Sequence, residues 1–308
     1  MSYYEKDYRR RLAIGRESNT LVTLIIINIT VFAIFGFIKV IYYFNNIPIE
    51  SFNKNVFNWF TLPASFSTFL TRPWTLLTHM FLHDSDNIWH ILGNMLWLWA
   101  FGYIMQDLTG NRKVIPVYIY GGLAGGLAFM LSFNFFSVLR PELAGATALG
   151  ASAGVMAVAV ATTMISPDYR IFPMLNGGIP LWILTTLFVI IDLVTIPYNN
   201  TGGHIAHIAG GFMGFLFIFL LRRGYDWSEW MNRFFDWVND LFNPDKPKKG
   251  KSIREEVFYK KTRQPFKKTA NITQQRVDEI LDKINQKGYQ YLSEEERELL
   301  KRASEEDL

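Results

Sequence analysis

The hydrophobic residues of this chain fall into six long blocks that polar segments separate. Each block has about 18 to 23 residues, the length that an α-helix needs to cross a hydrocarbon core of ~30 Å. Buried helices of soluble proteins rarely recur six times at this length with so few charges. The pattern therefore predicts an all-α membrane protein, a bundle of six transmembrane helices. The blocks are Leu21–Val40, Asn87–Met105, Val114–Phe136, Ala146–Ile165, Ile179–Pro197 and His204–Leu221.

The segment between the first two blocks, about Tyr43 to Asp86, is long and rich in aromatic residues. Amphipathic aromatic side chains are enriched at the headgroup level of a bilayer. One interpretation is therefore a half-inserted loop at the outer surface. An extramembrane loop with a small core of its own is the other interpretation. The sequence leaves both open.

The chain after the sixth block has a different character. Between Tyr225 and Phe242, aromatic and aliphatic residues recur among charged ones with a helical period, which predicts an amphipathic helix on the inner membrane surface. From Lys246 to Lys268 there are ten Lys or Arg residues and two acidic ones. A linker of this composition is attracted to anionic lipid headgroups.

The last segment has the pattern of a small helical hairpin. Apolar residues from Val277 to Ile284 keep a helical period, Gly288 supplies a stop, and Ser293 with Glu296 has the spacing of a capping box for a second helix. The chain thus divides into an N-terminal tail (1–20), a six-span domain (21–222), an amphipathic helix with a basic linker (223–271) and a hairpin (272–308).

Positive charge is distributed unevenly between the two sides of the predicted bundle. The formal net charge is +4, but its placement is more informative than its total. Most Lys and Arg residues lie in the N-terminal tail and in the segments that follow the second, fourth and sixth spans. By the positive-inside rule both termini are cytoplasmic, and the first block is a retained span rather than a cleaved signal peptide. The opposite loops carry Lys54, Arg72 and Arg140.

Polar residues that ionise or react are costly in lipid, so each one within a span is a functional candidate. His90 and Asn94 lie near the start of the second span, Ser152 near the start of the fourth and His207 near the start of the sixth. These three spans all start on the outer side, which places the four residues within about two turns of the outer surface. Since the chain has no cysteine, disulfides, thiol catalysis and thiolate metal sites are excluded.

Small residues in the fourth and sixth spans allow their helices to approach closely. Gly150 and Gly154 flank Ser152, and Gly210 and Gly214 follow His207 on one predicted face. On the fourth span we expect Gly145, Ala148, Ser152 and Ala159 to share a face. Taken alone, Ser152 also fits generic helix packing with a satisfied hydroxyl.

The four polar residues together match the needs of acyl transfer. A serine hydroxyl is a weak nucleophile, and an imidazole such as His207 accepts its proton during attack. The oxyanion of the tetrahedral intermediate needs preorganised donors, and His90, Asn94 and the backbone N–H of Ser152 are candidates. For His90 and Asn94 alone, an interhelical hydrogen bond is the alternative.

These residues also resemble the motifs of the rhomboid proteases, which are intramembrane serine proteases of six helices. Gly150-Ala151-Ser152-Ala153-Gly154 is similar to their nucleophile motif, Ala206-His207-Ile208-Ala209-Gly210 to the segment of their base, and His90-x3-Asn94 to their oxyanion pair. The resemblance covers about residues 21–222. It implies a Ser–His dyad without a cofactor or metal, and transmembrane proteins as substrates.

The chain departs from the family pattern in the first loop. Where many rhomboids have Trp-Arg, this chain has Trp74-Thr75, with Arg72 two residues earlier, and the segment from His83 to His90 is slightly long. The catalytic positions are untouched by these differences.

Two other functions fit parts of the sequence. A catalytically silent relative would bind transmembrane clients without cutting them, although such relatives usually lose the serine or the histidine. A His-rich metal-dependent membrane protein fits poorly, because acidic partners are few and Ser152 would have no role. Asp192 in the fifth span either orients a histidine or makes a structural hydrogen bond.

The expected location is a bacterial inner membrane, with the bilayer and its anionic lipids as partners and no nucleic acid.

Overall fold

The computed structural model describes residues 19–172, 174, 177–198, 200–241 and 274–305. The chain divides into two compact units, residues 1–243 and 244–308. Almost all of the predicted N-terminal tail, and the whole basic linker from Lys246 to Lys268, lie outside the described residues.

The first unit is a helical bundle with two very short sheets. Antiparallel strands β1 (Leu62–Pro63) and β2 (Thr147–Ala148) form one sheet, and β3 (Arg170–Ile171) and β4 (Ile179–Pro180) form the other. Its helices are α1 (Thr20–Phe44), α2 (Ile49–Asn55), α3 (Phe66–Thr71), α4 (Thr75–Thr78), α5 (Ile88–Thr109), α6 (Val114–Phe135), α7 (Ser152–Ile165), α8 (Leu181–Thr195), α9 (Thr201–Leu221) and α10 (Ser228–Leu241).

Four of these helices, α1, α5, α6 and α9, are long and apolar enough to cross a membrane. This agrees with an all-α membrane fold. The fourth and fifth predicted spans form shorter apolar helices, since α7 has 14 residues and α8 has 15. At about 1.5 Å per residue such helices are ~21 to 23 Å long, which is less than the ~30 Å of a hydrocarbon core.

The prediction of a helix from residue 146 is wrong at its start. Thr147 and Ala148 are extended, because they pair with Pro63 and Leu62, and Gly150 has a φ of 122° that a helix does not accommodate. Gly145, Ala148 and Gly150 therefore precede α7 and do not lie on its packing face. Ser152 becomes the first helical residue.

Helix α7 lies at the centre of the unit and packs closely against α9. A Cβ atom at Gly210 would lie 2.2 Å from the carbonyl oxygen of Ala153, and one at Gly214 would lie 2.1 Å from that of Ala157. Gly154 faces α6, where an added Cβ would lie 2.7 Å from the Tyr118 ring. The backbones of α7 and α9 are thus in direct contact, which only glycine allows.

The long segment between α1 and α5 has a small core of its own. Phe52 and Leu82 are buried there against side chains of α1. Trp59 and Trp74 stack with ring centroids 6.4 Å apart, and the Trp74 indole donates to the Trp59 carbonyl at 2.9 Å. Arg72 donates to the Asn58 carbonyl at 2.5 Å, so the loop is tied together around Arg72 and Trp74.

Helix α10 is held to the bundle at its first turn. Lys113 pairs with Asp226 and donates to Ser228 Oγ at 2.8 Å. Partial burial opposes ionisation of Asp226, but hydrogen bonds from Lys113 and Ser228 outweigh it and hold the pKa of Asp226 below its ordinary value. Met231 is buried. A second face of α10 exposes Trp230, Phe234, Trp237 and Leu241.

The second unit contains the hairpin of α11 (Gln274–Lys287) and α12 (Glu294–Glu305). Gly288 ends α11 with a φ of 89°. The two reciprocal hydrogen bonds of a capping box are present, from the Ser293 N–H to Glu296 Oε2 at 2.8 Å and from the Glu296 N–H to Ser293 Oγ at 3.3 Å. Ile280, Leu292 and Leu299 form the buried core of the hairpin.

Gly214→Ala tests the close packing of α7 and α9. The added methyl group meets the Ala157 carbonyl, so the helices must separate, at a cost of about 1–3 kcal/mol. We expect a clearly lower midpoint of thermal unfolding in detergent.

Gly36→Ala is the matched control, since a Cβ there would have no neighbour within 4 Å among the residues that the structure describes. Its midpoint should stay the same or rise slightly, because alanine has the higher helix propensity. Equal midpoints for the two variants would contradict the packing described above.

Candidate active site

Ser152 and His207 meet at the end of the bundle where α5, α7 and α9 begin. The distance from Ser152 Oγ to His207 Nε2 is 2.7 Å, a short and direct hydrogen bond. Ser152 is the first residue of α7, and His207 lies in the second turn of α9. The close contact of the two helices therefore brings together a hydroxyl and an imidazole that are 55 residues apart.

The turn before Ser152 presents its side chain at the start of the helix. Strand β2 leads into Gly150, whose N–H donates to the His79 carbonyl at 2.9 Å. A Cβ at Gly150 would lie 3.1 Å from both Cε1 and Nε2 of His90, and its φ of 122° is strained for other residues. Gly150 is thus a turn residue that makes room for His90 rather than a helix-packing residue.

The other ring nitrogen of His207 bonds to a carboxylate. Asp192 Oδ1 on α8 lies 2.9 Å from His207 Nδ1 and 2.7 Å from His204 Nδ1. A carboxylate accepts hydrogen bonds, so this network assigns a proton to Nδ1 of each ring. His207 Nε2 is then unprotonated and accepts the hydroxyl proton of Ser152.

The same three residues form a set of possible metal ligands. Donor atoms of Asp192, His204 and His207 lie within 4.8 Å of one another. Nitrogen and carboxylate ligands suit zinc. The hydrogen bonds described above account for the arrangement of these side chains by themselves.

His90 faces the same turn from α5. Its Nδ1 accepts the backbone N–H of Asp84 at 3.3 Å, which assigns the ring proton to Nε2, the atom beside Gly150. The backbone N–H of Ser152 lies in the first turn of α7 and has no acceptor within the helix. Asn94 is almost buried and donates one amide N–H to the His90 carbonyl at 2.8 Å.

His79 and His83 lie behind the serine turn, outside the candidate spans. Burial lowers the pKa of His79 to about 4, and burial together with the neighbouring His90 lowers the pKa of His83 to about 4. His79 Nδ1 donates to the Thr75 carbonyl at 2.9 Å. Both ring nitrogens of His83 lack a partner among the described residues. Both rings are therefore neutral at pH 7.

Ser152 and His207 line two cavities of different character. One, of about 440 Å³, has a mixed lining that includes His79, Asp84 and His90 and is the more polar of the two. The other, of about 230 Å³, is more apolar. Its further lining residues are Asn94, Trp97, Val155, Met156, Ala159, Phe188, Ile191 and Asp192. The reactive pair is therefore open both to a polar space and to an apolar one.

The structure brings all four sequence candidates to one end of the bundle. Ser152 bonds to His207, His90 borders the same polar cavity, and Asn94 borders the same apolar one. Sequence reasoning gave His204 no role and left Asp192 open. A signal was present, since an acidic residue near the end of one span precedes two histidines at i and i+3 at the start of the next.

Comparison with known proteins gives two family matches. Residues 70–224 match the model of the Rhomboid domain, and residues 264–306 match a family of unknown function. The first match covers α5 to α9 and all of the candidate residues.

Several curated proteins resemble the chain at low identity. It is 24% identical over 159 residues to RHOMBOID-like protein 12, mitochondrial, of Arabidopsis thaliana, covering 49% of this chain and 47% of that protein. It is 24% identical over 174 residues to Rhomboid protein 1, mitochondrial, of Saccharomyces cerevisiae, covering 51% and 44%. The identity to rhomboid protease GlpG of Yersinia pestis is 24% over 181 residues, covering 53% of each chain. The chain thus spans about half the length of these relatives.

The Rhomboid domain model matches half of the chain, and the matched residues include Ser152, His207 and the side chains around them. This chain is therefore a member of the rhomboid family.

Proposed function

We propose that this protein is an intramembrane serine endopeptidase that cuts transmembrane segments of other membrane proteins. The observation that carries the proposal is the 2.7 Å hydrogen bond between Ser152 Oγ and His207 Nε2. Membership of a family that includes a protein named rhomboid protease GlpG supports it.

In the proposed reaction, Ser152 Oγ attacks the scissile carbonyl carbon while its proton passes to His207 Nε2. The tetrahedral intermediate collapses as the C–N bond breaks and His207 gives the proton to the leaving amine. Water then attacks the acyl-enzyme and transfers a proton to His207. Return of that proton to Ser152 Oγ releases the carboxylic acid and restores the enzyme.

The oxyanion of the intermediate would be held by three donors. The Ser152 N–H belongs to the unpaired first turn of α7, where the helix dipole also favours negative charge. The Nε2–H of His90 lies beside Gly150, next to the serine. Asn94 retains a second amide N–H after its bond to the His90 carbonyl. Such preorganised donors are worth most where water is excluded.

The two cavities suit the two reactants of a hydrolysis. An apolar segment of the substrate would bind in the apolar cavity between α5 and α8, which Trp97 and Phe188 line. Water matches the polar cavity beside His79 and His90. We propose that substrate helices reach Ser152 from the lipid, and water from the aqueous side.

The proposed topology has six spans with both termini in the cytoplasm of a bacterium, across its inner membrane. The charge asymmetry of the loops supports the orientation. Helices α7 and α8 are then short spans, and the exposed aromatic face of α10 rests on the inner membrane surface. The basic linker beyond it would bind anionic lipid headgroups. We propose the division that the sequence predicts, into a tail (1–20), a protease domain (21–222), an amphipathic helix with a basic linker (223–271) and a hairpin (272–308).

Ser152→Ala and His207→Ala test the catalytic pair. Co-expressed with a panel of single-pass membrane proteins, the parent should release cleavage products, and each variant should lose at least ~10³-fold in activity. Ser132→Ala is the matched control, since that hydroxyl donates to the Phe129 carbonyl of its own helix at 2.7 Å. Cleavage by Ser152→Ala at the parent rate would refute the mechanism. A parent that cuts no member of the panel would favour a catalytically silent relative.

His90→Ala and Asn94→Ala test the oxyanion donors. Loss of one donor should lower kcat by about 10²-fold with little change in KM, because the bond forms only in the transition state. Trp89→Ala is the control, since this neighbour on α5 is 75% exposed and lines neither of the two cavities at Ser152. An unchanged kcat in His90→Ala would remove His90 from the oxyanion site.

A further inference from the structure

We infer that Asp192 is a positioning residue for His207, so that the site works as a Ser–His–Asp relay of hydrogen bonds rather than as a Ser–His pair alone. The inference rests on the proposed protease function and deepens it. It is carried by the contact of one carboxylate oxygen with the far side of the His207 ring, at 2.9 Å.

The first argument is the tautomer of His207. With its proton on Nδ1, the ring donates to Asp192 and leaves a lone pair on Nε2 for the Ser152 proton. The other tautomer would set the Nδ1 lone pair against a carboxylate oxygen and would leave Nε2–H facing the hydroxyl. Asp192 therefore selects the only tautomer in which His207 can act as a base.

The second argument is charge. When Ser152 transfers its proton, His207 becomes an imidazolium in a partly buried site. The carboxylate in direct contact with that ring stabilises the positive charge as it develops, and it does so more strongly than it would in water. This stabilisation is larger in the transition state than in the resting state, which is the condition for an effect on kcat.

The third argument is that the carboxylate is held in place. Asp192 is 6% exposed, and its Oδ1 also accepts from His204 at 2.7 Å. His204 lies in the first turn of α9, where the helix dipole favours a neighbouring anion. With two N–H donors on one oxygen, Asp192 has little freedom to turn away from His207.

A purely structural tie between α8 and α9 is the competing explanation. The bond to His204 would be enough for that purpose. The bond to His207 is the additional feature, and it joins Asp192 to the α9 residue that is hydrogen-bonded to Ser152. A buried carboxylate in a span is costly, so its direct bond to the proposed base favours a role in the chemistry.

The test compares Asp192→Asn, Asp192→Glu and His204→Gln. Asparagine keeps the size of the side chain but removes the charge, and its amide group can donate to Nδ1 and impose the wrong tautomer. Glutamate restores the charge at a shifted position. His204→Gln removes the structural tie while leaving the bond from Asp192 to His207.

Three quantities are measured for each purified variant in detergent: kcat and KM on a cleaved single-pass substrate, the rate of Ser152 labelling by a fluorophosphonate, and the midpoint of thermal unfolding. We expect Asp192→Asn to lower kcat and the labelling rate by about 10²-fold or more, with KM within about twofold. Asp192→Glu should recover about tenfold of that loss. His204→Gln should lower kcat by no more than about tenfold, because Asp192 loses one of its two donors but keeps its bond to His207, even where the unfolding midpoint falls.

The labelling rate separates this inference from the proposed function. If Ser152 of the parent is labelled and Asp192→Asn is labelled as fast, Asp192 does not position His207, while the serine chemistry stands. Parallel losses of kcat in Asp192→Asn and His204→Gln that follow their unfolding midpoints would also overturn it, in favour of the structural tie. A parent that neither labels nor cleaves defeats the proposed function, and the positioning role with it.

Discussion

Helices α7 and α9 are in contact backbone to backbone, and the rest of the site depends on this contact. At Gly210 and Gly214 no side chain separates the α9 backbone from the carbonyl groups of Ala153 and Ala157. A larger residue at either position would push the two helices apart. The hydrogen bond between Ser152 and His207 would then be too long to form. The small residues thus convert helix packing into the correct distance between Ser152 and His207.

Several buried polar side chains near the serine turn are hydrogen-bonded to backbone carbonyls. Tyr118 donates to the Met80 carbonyl at 2.6 Å, and Asn134 donates to the carbonyls of Ala64 and Met130. The bonds to Met80 and Ala64 tie the loop between α1 and α5 to α6, and the His79 carbonyl of that loop accepts the Gly150 N–H. The serine turn is therefore supported from behind by a fixed layer of hydrogen bonds rather than by the lipid-facing helices.

The sequence predicts those features that depend on local pattern. The ends of α6 and α9 agree with their hydrophobic blocks to within a few residues, because apolar length alone sets a span. The capping box at Ser293 is likewise local. The start of α7 was not predictable from local pattern, since Thr147 and Ala148 lie within an Ala- and Gly-rich run that continues into the helix and are extended because they pair with distant β1.

In the site, too, the residues marked by local pattern could be predicted, whereas those placed by tertiary contacts could not. Ser152, His207 and His90 could be predicted because their spans begin on one side, a property that loop charges reveal. The contact of His204 with Asp192 depends on the rotation of two helices about their axes, which hydropathy does not record. Residue type suggested a partner for Asp192, whereas only the tertiary structure shows that it has two.

Under the proposed function, the position of Ser152 at the start of α7 determines which fragments a cut would produce. Ser152 lies at one end of a 14-residue helix and not at its middle, so a bound segment would be divided near one leaflet. The longer fragment would keep enough apolar length to remain anchored, while the shorter one would leave the bilayer together with whatever domain it carries. An asymmetric position of the nucleophile would thus turn a single hydrolysis into the release of a soluble fragment on one side only.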